Sequence, residues 1–188
     1  MHPHRGALVR FLDELATWNA KLDLTAAKSP EEFCDLMLAD ACALAEALPE
    51  RATVVDVGTG AGGPAVTLAI LRPDLSFTLV EPLAKRTAFL RTALAAVSRS
   101  DVVVVRGRGE ELTSRESKWD VAMSRATLAP PDWLALGTEL VRPAGMVAVL
   151  LAKEEAPVGE RAELAQTMHY TLVSSGASRT LALYRRHA

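Results

Sequence analysis

A short apolar run followed by crowded glycines constrains this chain more than any other feature. Val54, Val55 and Val57 read as a buried strand, and Gly58, Gly60, Gly62 and Gly63 as a tight turn. Pro64 then opens a segment whose apolar spacing (Val66, Leu68, Ala69, Leu71) suits a helix with proline in its first turn. Strand, glycine turn and helix form the first unit of a nucleotide- or nucleoside-binding sheet, where glycine lets the backbone approach a ligand that a side chain would exclude.

The glycine spacing fits two patterns. Gly58, Gly60 and Gly63 match the nicotinamide-type G-x-G-x-x-G, and Gly58, Gly60 and Gly62 match the methyltransferase-type G-x-G-x-G. Asp56 separates them. A carboxylate at the end of this strand is poorly placed beside the phosphates of a dinucleotide, but attracts the sulfonium and ammonium of S-adenosylmethionine. The same residue also reads as a local acceptor that braces the turn. Methyl-donor binding is the expectation.

The rest of the chain supplies partners for that turn. Leu75 to Val80 alternates as a second strand and ends at Glu81, an acid roughly 20 residues beyond the glycines, where ribose hydroxyls are usually bound. A third strand, Val102 to Val105, is β-branched throughout and predicts burial on both faces. It leads to Gly109 and Glu110, candidates to contact the adenine. The fourth strand, Trp119 to Ser124, delivers Arg125 to the carboxyl edge of the sheet, where open α/β sheets bind ligands. Pro130-Pro131 marks a loop before a helix over 132–141, and Pro143-Ala144-Gly145 turns into a fifth strand, Met146 to Leu151. Residues 168–174 and 178–185, joined by Ser175-Gly176, close the chain as a hairpin.

Upstream, Leu8, Phe11, Leu12, Leu15 and Trp18 give one helix an apolar face. Ser29, Pro30 and Glu32 form a capping box opening a second helix, to about Leu48. The expected architecture is α/β: a helical cap over residues 1–50, and a class I methyltransferase unit over 51–188, Rossmann-like, with a mostly parallel seven-stranded sheet and an antiparallel terminal hairpin.

Composition narrows the function. The chain has 188 residues, 49% of them apolar, enough for one domain with a small extension. No run of 18 apolar residues occurs, which argues against a membrane span. A net charge of −2 is not that of a free-standing nucleic-acid binder. Cys34 and Cys42, in one predicted helix, read as buried thiols in a reducing, cytoplasmic setting, not as a disulfide. His2 and His4 sit near the amino terminus, His169 and His187 have no ligand-like partners, and no metal site is expected.

At this point the chain resembles the bacterial 16S ribosomal RNA guanine-N7 methyltransferases, also called glucose-inhibited division protein B. The resemblance rests on Trp18-Asn19, Leu24-Thr25, Asp56 through Gly62, Arg72-Pro73-Asp74, Lys85 through Leu90, Arg108 through Glu111, Ser124-Arg125-Ala126 and the strand carrying Arg179. It implies donor contacts at Gly58, Gly63, Gly109, Glu110 and Arg125, with Arg125 the residue that positions the reaction. It also implies a ribosomal RNA substrate, presented within a small-subunit particle to a monomeric enzyme. Arg86, Arg106, Arg108, Lys153 and Arg185-Arg186 are candidate phosphate contacts. The family pattern has histidine at Met37, serine at Ala41, asparagine at Asp23, Phe-Pro-Gly at Gly63-Pro64-Ala65 and glycine at Glu154, so the departures fall in the cap and the crevice rim. A small-molecule methyltransferase on the same fold, a nicotinamide-dependent oxidoreductase and a non-catalytic donor- or RNA-binding relative remain alternatives.

Overall fold

Period-two apolar segments alternating with helical ones build a single seven-stranded sheet in the computed structural model, which describes residues 3–27 and 29–188. Met1, His2 and Lys28 lie outside the described residues. The strands are β1 (Thr53–Val57), β2 (Ser76–Val80), β3 (Val103–Val105), β4 (Trp119–Ser124), β5 (Val141–Leu151), β6 (Ala162–Thr171) and β7 (Ser178–Arg186), in the order β3-β2-β1-β4-β5-β7-β6. The first five run parallel, and β7 pairs antiparallel with both β5 and β6. Strand order reverses between β1 and β4, which opens a crevice at their carboxyl ends.

Successive residues of β1 point to opposite faces and so feed two apolar layers. Val54 joins Phe77, Leu79, Phe89 and Leu90 on one side, and Val55 and Val57 join Trp119, Trp133 and Val147 on the other. Helices α4 (Ala65–Leu71) and α5 (Ala84–Ala96) cover the first face, and α6 (Pro130–Leu140) the second. The amino-terminal helix α1 (Arg5–Leu22) shares the first core. Phe11 and Leu15 are fully buried, and the Trp18 ring lies 5.7 Å from that of Phe89 on α5.

The second expected helix starts as read, with Ser29 Oγ accepting from Glu32 N at 3.2 Å. It is not one regular helix. An α-helical turn, α2 (Pro30–Cys34), passes through a π-helical segment (Asp35–Ala39) into α3 (Asp40–Ala47). Arg72 stops α3 by donating to the carbonyls of Ala45, Leu48 and Pro49 while paired with Asp74, which satisfies the orphan carbonyls of the helix end.

Four other expectations change. β3 is the edge strand, with Val103 54% exposed, because β2 has β1 on its other side and no element follows β3 in the sheet. Pro130 and Pro131 do not mark a loop; they open α6, where a missing N–H costs nothing. β6 begins at Ala162, well before the expected hairpin, and β5 begins at Val141. Cys42 is exposed on α3 and Cys34 half-buried, because the core face of this cap segment is carried by Met37, Ala41, Ala43 and Leu44.

Candidate functional site

The glycine turn is folded against the neighbouring strand. Gly58 N and Thr59 N both donate to Val80 O, at 2.8 and 3.1 Å. Gly58 adopts φ +72°, and a Cβ there would meet Thr127 Cγ2 at 2.9 Å, so both conformation and space exclude a side chain. Thr127 itself is held by Val57 O and Ser124 Oγ. Gly63 is close-packed for a different reason. A Cβ there would lie 2.5 Å from Met37 Sδ and 2.8 Å from Leu36 O, so two of the departures from the family pattern, Met37 and Gly63, meet each other.

Beside this turn lies a cavity of about 510 Å³. Gly58, Gly60 and Gly63 form one wall, Glu81 and Arg86 a second, Arg125 and Thr127 a third, and Leu24, Thr25 and Leu36 of the cap close it. The cap residues are set by Asn19, which accepts from Thr25 N at 2.8 Å and donates to Ala27 O at 3.3 Å. Glu81 is buried, accepting from Gly60 N and Leu83 N, each at 2.9 Å. A carboxylate has about four acceptor positions, so capacity for a ligand hydroxyl remains.

The expected site residues divide into two groups. Gly58, Gly60, Gly63, Glu81 and Arg125 come together around the cavity. Asp56, Gly62, Gly109 and Glu110 are not among its walls. Gly62 faces Val66 and Phe11 in the core, Gly109 is packed against Val57, and Glu110 is exposed. Asp56 is buried at 1% exposure, with Oδ2 lacking a hydrogen-bond partner among the described residues. Burial pushes its carboxyl up to about 7; the Thr59 hydrogen bond and the Arg125 charge oppose the rise, and the Glu81 charge adds to it.

That shift carries a signed consequence. Between about pH 4 and 7 folded Asp56 keeps a proton that the unfolded chain has released, so its stabilising contribution is full below pH 4 and lost as pH rises through 7, by at most about 1.4 kcal/mol per unit. Asp74 and Asp101, held below their ordinary value by Arg72 and Arg99, act in the opposite sense only in more acid solution. Asp56→Asn is therefore expected to gain stability relative to wild type between pH 5 and pH 8, as read from urea midpoints at the two values.

Arg125 ties the carboxyl edge of the sheet to the amino-terminal helices. Its Nη1 donates to Leu36 O in the π-helical segment and pairs with Asp40 Oδ2 at 3.4 Å. Asp40 Oδ1 accepts in turn from Tyr170 OH on β6 at 2.5 Å. Nothing local in the sequence pairs Tyr170 with Asp40. Their contact spans 130 residues of chain and leaves no local signal. Of the candidate phosphate contacts, Arg106 and Lys153 follow β3 and β5 at the same sheet edge as Arg125, and Arg86 lines the cavity. Arg185 and Arg186 end β7, paired with Met146 and Ala162 at the opposite edge, and bond to Ala144 O and Val141 O. Among the described residues no group of three metal-ligating side chains occurs, and no helix is long and apolar enough to cross a membrane.

The chain matches the GidB family, described as rRNA small subunit methyltransferase G, over residues 5–182. A relative named ribosomal RNA small subunit methyltransferase G from Myxococcus xanthus is 34% identical over 188 residues, covering 95% of this chain and 87% of that one. The protein of the same name from Anaeromyxobacter dehalogenans (strain 2CP-C) is 33% identical over 190 residues, covering 97% and 88%. Among solved structures, the O-methyltransferase from Bacillus cereus in complex with SAH superposes with a TM-score of 0.66 at 16% identity, covering 94% of this chain and 90% of that one, a likeness of fold.

Proposed function

The chain belongs to the rRNA small subunit methyltransferase G family, and we propose that it transfers the methyl group of S-adenosylmethionine to N7 of a guanine in small-subunit (16S) ribosomal RNA. The observation that carries the reading is the cavity at the β1–β4 switch point, with the glycine turn, Glu81 and Arg125 around it. The residues present suit the donor. Three glycines of the turn line the cavity without a side chain, Glu81 has acceptor capacity for ribose hydroxyls, and its carboxylate beside the turn attracts a cation. We also assign Gly62, Gly109 and Glu110 supporting roles: Gly62 seats the turn on the core, and Gly109 with Glu110 borders the adenine end.

S-adenosylmethionine supplies an electrophilic methyl group on a sulfonium. Guanine N7 carries a lone pair and no proton, so the chain has no proton to remove. In keeping with this, no histidine is among the described residues that line the cavity. Arg125, fixed by Leu36 O and Asp40, orients the reactants, and rate enhancement comes from alignment. Residues 1–50 act as a cap over the 51–188 catalytic unit, and Arg106 and Lys153 meet phosphates. With a net charge of only −2, the protein meets its RNA within a small-subunit particle, as a monomer, in the cytoplasm. Incubation with labelled S-adenosylmethionine and unmodified small subunits is expected to label the RNA. Binding of S-adenosylhomocysteine without any label in RNA would contradict the reading.

A further inference from the structure

A second cavity, of about 460 Å³, adjoins the first, and Arg125 and Leu36 belong to the walls of both. Asp40 and Asp35 line it from the cap, and Arg179 from the start of β7; Ala26, before α2, and Leu172, after β6, line it too. Three distant pieces of chain are bonded together to make it. Arg125 is held by the cap at Leu36 O and Asp40, Asp40 is held by Tyr170 of β6, and Asp35 accepts from Ser174 N at 3.1 Å and from the Ser174 and Ser175 hydroxyls in the hairpin turn. This leaves Asp35 one of about four acceptor positions, and two rotatable hydroxyls to yield.

We propose that this second cavity receives the acceptor nucleobase, turned out of its RNA, with Arg125 at the border where acceptor meets donor and Asp35 as the residue that selects guanine. The inference rests on the methyl-transfer reading above and names the part of the site that reading leaves open. Enzymes that act on a base turn it into a pocket and read its Watson–Crick edge, and the volume falls within the range of small-ligand sites. A carboxylate only accepts hydrogen bonds. Guanine presents N1–H and amino donors on that edge, whereas adenine presents an acceptor at N1. Asp35 meets the former and repels the latter.

The charge balance of the cavity also fits the product. Glu32, Asp35 and Asp40 stand against Arg125 and Arg179, an excess of one negative charge. As the N7 lone pair forms the new N–C bond, the S–C electron pair returns to sulfur and one positive charge passes to the purine, with no proton transferred. An acidic surround favours that transfer. Tyr170 acts through Asp40 on Arg125 and is a positioning residue.

The test fills the cavity with Ala26→Trp and, separately, Leu172→Trp. S-adenosylhomocysteine affinity by calorimetry and binding to small subunits by sedimentation are expected to stay within about threefold, while methyl transfer falls by about a hundredfold. Tyr170→Phe is expected to lower kcat several-fold with KM for subunits unchanged. In subunits carrying inosine at the target, which keeps N1–H but lacks the amino group, wild type is expected to lose activity several-fold and Asp35→Ala to be indifferent to the change. Filled variants that methylate at the wild-type rate would overturn the proposal, as would filled variants that no longer bind S-adenosylhomocysteine. Wild type that binds S-adenosylhomocysteine but labels no RNA would instead remove the methyl-transfer reading itself.

Discussion

Arg125→Ala is expected to lower single-turnover methyl transfer by about a hundredfold, the order of loss that follows a misplacement of about 1 Å between reacting atoms. Among the described residues, Arg125 and Leu36 are the two that line both cavities, and the guanidinium is held from the cap side by Leu36 O and Asp40. Truncation removes the side chain that borders both spaces and sets the approach of acceptor to methyl. Arg125→Lys keeps the charge but not the Nη1 position that reaches both Leu36 O and Asp40 Oδ2, and is expected to fall between. Because Asp40 still has Tyr170 OH, the loss of stability is expected to be about 1–2 kcal/mol, too small to account for the kinetic effect. Calorimetry with S-adenosylhomocysteine on the same variant separates the two: donor affinity is expected to change much less than turnover.

The largest effect on stability is expected far from the site, at Arg99. Its guanidinium, 9% exposed, donates to Ala69 O at the end of α4 and to Leu75 O at 3.0 Å, and pairs with Asp101 at 2.9 Å. It also stands 5.9 Å from the Phe77 ring centroid. Arg99→Met keeps the apolar stem but leaves two buried carbonyls without a donor. At about 1–3 kcal/mol for each unsatisfied group, partly offset by relaxation and water entry, the expected loss is about 3 kcal/mol, measured as a shift of the urea midpoint. Methyl transfer per folded molecule is expected to be unchanged, since Arg99 reaches neither cavity. The two variants thus move opposite quantities, Arg125 the rate and Arg99 the stability.

The part of the site legible in the sequence is the part written in local spacing. A glycine turn after a strand, an acid at the tip of the next strand and an arginine at the end of the fourth are each defined by neighbours a few residues away. The fold brings Gly58, Glu81 and Arg125 to one cavity accordingly. Asp56 was legible in kind but not in depth: it lies beneath the turn, where burial instead of exposure sets its charge. The acceptor side was hidden because it is assembled from contacts across the chain, Asp40 to Tyr170 and Asp35 to Ser174, neither marked by a motif. The π-helical segment at Asp35–Ala39, where Arg125 docks, also has no compositional signature, although such segments recur at functional sites. β3 misled for a related reason. A β-branched triplet reads as buried, but burial depends on strand order, and order is a property of the whole sheet.

The departures from the family pattern gain a physical meaning together. Met37 occupies the space that a larger residue at position 63 would need, so the pair is mutually adjusted. Glu154, standing where a glycine is expected, accepts from the backbone N–H groups of Ala152 and Lys153 and closes its own turn.

The most direct test is a base-resolution map of N7-methylguanine in the RNA of unmodified small subunits, after incubation with this protein and S-adenosylmethionine. The account predicts one modified guanine, present with wild type and strongly reduced with Arg125→Ala. Methylation at a position other than N7 of a guanine, or at no nucleotide while S-adenosylhomocysteine still binds, would contradict it.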